Sequence, residues 1–174
     1  MSYDLMVFER TKAPTTKKEF MAWYEKQMEW EEEHDYQTIS VSSPALQNWF
    51  MEMKEKFPPM NGEYAPNDDA LDEDENLELH MVDYSIGYNV IYAAFSWSVA
   101  DEAYELMRSL AQKHKVGFFD VSGDDGDIIL PDGIMIKYTC WICGICRVEL
   151  STMDGFFKAL RDRYPMKISL VSEL

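Results

Sequence analysis

The sequence predicts an α+β fold of the ferredoxin-like, split βαβ kind, ordered β-α-α-β-β-α-β and followed by a C-terminal β-β-α-β extension of the sheet. Three observations predict it. Short apolar runs of strand character stand at "SYDLMVFE", "DYSIGYNVIYAAFSW" and "VGFFDVS". Between them, apolar residues recur at helical spacing after Thr16, Ser43 and Ser98, each preceded or opened by a capping residue. The segments alternate so that two crossovers return the chain to one antiparallel sheet and lay helices on one of its faces.

The first strand is expected over Tyr3 to Phe8, and "RTKAPTT" breaks it. From Thr16 to about Glu33 the period becomes helical: Phe20, Trp23, Tyr24 and Gln27 share a side, and Thr16 with Glu19 forms a capping-box pair. A second helix opens with Ser43 as cap and Pro44 at its first position, and places Leu46, Trp49, Phe50, Met53 and Phe57 on one stripe. Residues 61–76 hold seven acids and no base, which reads as a solvated connection. The stretch 77–97 reads as two β-rich runs with a tight turn at Gly87, the second run apolar on both faces. A third helix is expected from a Ser98 cap, acidic at Asp101 and basic at Lys113, His114 and Lys115, as the helix dipole favours. A fourth strand and the loop "GDDGD" follow. Residues 1–174 are read as a single domain, with a core over 1–132 and an extension over 133–174, because some forty residues bury little core alone.

Composition narrows the functional classes. The chain of 174 residues is 47% apolar and 14% aromatic, enough for a full core, and carries a formal charge of −16. That charge is uneven: residues 1–136 hold 28 acids and 10 bases, or −18, and residues 137–174 hold 4 and 6, or +2. Such a field repels nucleic acid and anionic membranes; it either steers in a basic protein or serves only to keep an aromatic-rich protein soluble. With no signal-peptide run or membrane span in view, a cytoplasmic protein is expected.

No complete catalytic signature is present: G-x-S-x-G, the P-loop, G-x-G-x-x-G and H-E-x-x-H are all absent from the sequence. Cys140, Cys143 and Cys146 have a metal-like spacing, but no fourth ligand follows, and strand periodicity sends Cys143 to the face opposite the other two. They are read as small apolar strand residues, and neither metal nor cofactor is expected. Asp120, Ser122 and Asp124 match the start of a calcium loop, yet Asp125 stands where the EF-hand needs glycine. His80 and Asp83, on one expected strand, fall on opposite faces. His114 reads as a C-terminal helix cation, and His34 as the end of a solvated acidic run.

Aromatic residues supply the positive candidates. Trp30 and Tyr36, standing among Glu31, Glu32, Glu33 and Asp35, form the expected recognition patch for a basic protein partner. The reading from another class is a small-molecule-binding or enzymatic domain with a pocket between the two N-terminal helices and the sheet, lined by Tyr24, Trp49, Asp83 and Tyr92.

The strings "MSYDLMVFE", "PALQNWFMEM", "FPPMNG" and "GFFDVSGD" resemble those of a family of small bacterial cytoplasmic proteins without an assigned activity, over residues 1–132. The resemblance implies a bacterial, single-domain protein and carries over no catalytic residue. The leading expectation is therefore a non-enzymatic acidic binding protein, comparable in charge, size and compartment to the immunity proteins of toxin systems, by analogy only.

Overall fold

The computed structural model describes residues 2–74, 76–123 and 126–136, all within one compact unit spanning Met1–Thr139. The three cysteines and all of the expected extension beyond Ile136 lie outside the described residues. The protein is α+β. Six strands form one sheet in the order β2-β3-β1-β4-β5-β6, every neighbouring pair antiparallel. They are β1 Tyr3–Phe8, β2 Asp83–Ile86, β3 Val90–Phe95, β4 Gly117–Asp120, β5 Ile128–Ile129 and β6 Met135–Ile136.

The helices start where local chemistry places them. Helix α1, Lys17–Gln27, begins at Thr16, whose hydroxyl accepts from the Glu19 amide and donates to the Glu19 carboxylate at 2.7 Å. It ends at Gln27 and does not reach Glu33, because Glu29, Glu31, Glu32 and Glu33 crowd the end where the helix dipole favours cations. Helix α2, Pro44–Met53, has the Ser43 cap and the leading proline, and buries Leu46, Trp49, Phe50 and Met53.

Two expectations are corrected between α2 and β3. The acidic connection contains a short helix, α3 Asp68–Glu73, capped by Asn67, whose side chain accepts from the Ala70 amide at 2.9 Å. "LELH", expected to be strand, is a helical turn, α4 Leu77–His80. The turn brings the His80 ring back onto the Asn76 carbonyl and across to Glu102, which an extended chain could not do. His80 and Asp83 therefore share no strand.

Helix α5, Ala100–His114, is also entered differently from the expectation. Ser98 sits inside a single 3₁₀ turn, Trp97–Val99, and it is Ser96 whose hydroxyl caps that turn. At the other end Lys115 takes a left-handed conformation, and the Val116 amide returns to the Ala111 carbonyl at 3.0 Å, closing the helix.

Alternation along the strands sorts the core into two clusters. Leu5, Val7, Ile91, Ala93, Phe95 and Phe118 face α2 and α5. Met6, Phe8, Val90, Phe119 and Ile128 face Phe20 of α1, with Trp23 and Tyr24 packed at the margin. Helices thus lie on both faces of the sheet, not on one: α1 covers the face opposite α2 and α5. This also explains why β3 is apolar on both sides, as a central strand between two layers must be.

One close approach depends on a glycine. Phe8 lies opposite Gly117 in the β1–β4 ladder, and a Cβ there would come within 2.1 Å of the Phe8 ring. Edge strand β2 is partly covered: the Val82 amide and carbonyl bond to Pro58 and Met60, and the Ile86 amide bonds to the Tyr36 carbonyl.

Candidate functional site

The acidic run after α1 does not form a uniform solvated face. Trp30 and Tyr36 both adopt left-handed backbone, with φ of 51° and 57°, and fold the intervening residues into a tight loop. Their rings pack edge to face at 5.1 Å, and Trp30 also meets Tyr92. The Glu32 carboxylate turns inward. Its Oε2 accepts from the His34 ring at 2.5 Å and from the Tyr88 amide at 2.8 Å, tying the loop to the β2–β3 turn.

The neighbours of His34 assign its tautomer. Nδ1 accepts from the Tyr36 amide at 3.0 Å, so the proton sits on Nε2 and is donated to Glu32. With both ring nitrogens engaged, none is left to act as a general base. Asp35 is likewise used locally: it accepts from the Gln37 and Thr38 amides, and these bonds hold its carboxyl below the usual range. Of the acids expected to meet a partner, Glu31 and Glu33 alone are exposed without a hydrogen bond or ion pair among the described residues.

The expected pocket residues do not converge. Tyr24 and Tyr92 belong to the face under α1, where burial pushes both phenols up and the Asp4 carboxylate raises Tyr92 further. One Asp4 carboxylate oxygen there is buried without a hydrogen-bond partner. Trp49 is fully buried on the opposite face, its indole donating to the Met107 carbonyl at 3.4 Å. Asp83 is exposed on the edge strand. Because α1 and α2 lie on opposite sides of the sheet, no cleft can form between them. The depression that Asp83 lines with Asn61, Glu63 and Tyr64 has a cavity volume of about 20 Å³, room for a water molecule and little more.

A different cluster brings chemistry together at the start of β1 and the end of β4. Trp97, in the turn before α5, is 51% exposed, the most open of the large apolar side chains among the described residues. Its ring stands 5.1 Å from that of Tyr3, tilted by 53°. Burial and the Asp120 carboxylate push the Tyr3 phenol up to about 12. Asp120 is itself raised, first by desolvation and then by Asp127, against the Gly123 amide that donates to it at 2.9 Å. Tyr104 lies close by and is also raised, by burial ahead of Asp120, Asp127 and Glu105, with Arg108 opposing. The sequence reading missed this cluster because its members come from β1, the turn before α5, α5 itself and β4; the one local signal was an aromatic residue between two serines, "SWS", at a helix entrance.

Other acids are already paired. Glu52 binds Lys113 and His114, and Glu102 binds Lys56 and His80; these hydrogen bonds, those from Lys113 and Lys56 first, hold both carboxyls below their ordinary range. Among the described residues no three His, Cys, Asp or Glu side chains gather as a metal site, and no helix is long and apolar enough to cross a membrane. Comparison with protein-family models, curated proteins and solved structures returns no match.

Proposed function

We propose that this chain is a non-enzymatic, acidic binding protein of the cytoplasm that holds a basic protein partner. The observation that carries the reading is the charge: 28 acids against 10 bases over residues 1–136, with the bases near Glu52 and Glu102 already neutralised in place. A field of that sign draws basic proteins in and keeps nucleic acid away. The order β2-β3-β1-β4 with antiparallel neighbours is in keeping with a split βαβ core, to which α1 adds a layer on the second face.

The pocket reading has less behind it. A small-molecule site encloses several hundred Å³ as a rule, on the order of 300–1,000 Å³, and the four residues named for it lie in three separate places.

The test is capture on the immobilised full chain, at low and at raised salt, with the pI of each retained protein read out. Specific retention of a basic partner that falls steeply with salt supports the proposal. Retention indifferent to salt, or only of neutral and acidic proteins, ends it.

A further inference from the structure

We propose that Trp97, set against Tyr3, with Asp101 in the first turn of the helix it leads into and Asp120 on the strand next to that of Tyr3, is the anchor that receives an arginine or lysine side chain of the basic partner. This rests on the binding reading above and gives it a place. The indole is half exposed, and its ring stands 5.1 Å from that of Tyr3 at a tilt of 53°. A ring face attracts a cation through its quadrupole, the more strongly with carboxylates alongside. The Asp120 and Asp101 carboxylates act on the Tyr3 hydroxyl, and those of Asp120, Asp127 and Glu105 on the Tyr104 hydroxyl, where the Arg108 guanidinium opposes them. No Lys, Arg or His among the described residues forms an ion pair with Asp101, Asp120 or Asp127, in contrast to Glu52 and Glu102.

Other occupants fit less well. An anion is disfavoured because Asp101 and Glu102 already occupy the first turn of α5, where the helix dipole would otherwise attract it. A wholly apolar partner would bury Asp120 further, and its carboxyl is already desolvated. A cation relieves that cost. The loop around Trp30 offers no equivalent, since its rings are packed on one another and on Tyr92.

The experiment titrates the nitrogen-labelled full chain with tetra-arginine at low salt, with tetraglutamate as control. It follows the Trp97 indole N–H resonance, assigned by Trp97→Phe. A saturable shift of that resonance with tetra-arginine alone is expected. Trp97→Ala should weaken binding by about two- to fivefold, the range of an exposed cation–π contact. Asp101→Asn with Asp127→Asn should flatten the salt dependence, and Glu31→Gln with Glu33→Gln should leave the affinity unchanged. Saturable shifts around Glu31 to Asp35 with Trp97 silent overturn the anchor and leave the proposed function standing. No saturable shift anywhere also overturns the anchor, and the salt-dependent capture then decides the broader reading independently.

Discussion

Replacing Glu32 by alanine separates an inward-turned acid from its exposed neighbours. The Glu32 Oε2 receives two donors, the His34 ring at 2.5 Å and the Tyr88 amide at 2.8 Å, on a side chain 23% exposed. Hydrogen bonds to a charged acceptor contribute about 1.5–3 kcal/mol each when fully desolvated, and partial exposure puts this pair at the low end, about 2–3 kcal/mol together. For a chain of this size that corresponds to a fall in melting temperature of about 5–10 °C. Glu31→Ala and Glu33→Ala, on exposed side chains, should each stay within about 0.5 kcal/mol of the parent. Glu32→Gln supplies a finer control. Both donors converge on one oxygen, so an amide carbonyl in that place keeps both bonds without the charge, and roughly half the loss should return. Urea denaturation followed by near-ultraviolet circular dichroism measures all four variants. If Glu32→Ala unfolds at the same urea concentration as Glu31→Ala, the carboxylate does not tie the loop to the β2–β3 turn.

Gly117→Ala should cost about 1–3 kcal/mol, because its methyl group falls 2.1 Å from the Phe8 ring and forces that side chain out of its place; a urea midpoint equal to the parent's would contradict this. Trp49→Ala should lose about 3–5 kcal/mol, the cost of a large cavity in the core between α2 and α5, read by the same titration. The Asp120 carboxyl is raised in the folded state, so its ionisation lowers stability as pH rises from the unfolded value through the folded one. Asp120→Asn should accordingly be more stable than the parent at pH 7, with the two converging as pH falls through the range where Asp120 takes up its proton. A difference that widened on acidification would reverse the sign of the argument. Tyr3, held up at about 12 against an ordinary 10, should make the protein lose stability between those values, and Tyr3→Phe should remove that part of the alkaline loss.

Much of the fold is legible in local spacing. Thr16 with Glu19, and Ser43 with Pro44, mark helix starts because capping joins atoms only a few residues apart. Strand β1 is found at its full extent, since two-residue alternation is a property of the chain itself. Where the reading fails, a distant segment has intervened. His80 of the helical turn "LELH" reaches Glu102, 22 residues on, and past the end of α1 the Trp30 ring packs on Tyr36 and on Tyr92 of β3.

The candidate site divides in the same way. Composition alone establishes the acidic charge whatever the fold, because a field sums over all its charges. Which acids are available is another matter. Glu32 and Glu33 are indistinguishable in the string "EWEEEHD", yet one meets an amide 56 residues away and the other meets solvent. Trp49 and Trp97 differ as sharply, one sealed between α2 and α5 and the other standing open beside Tyr3. Periodicity and capping are settled by bonded neighbours and can be read along the chain; burial, pairing and exposure depend on which segments meet, and only the tertiary structure decides those.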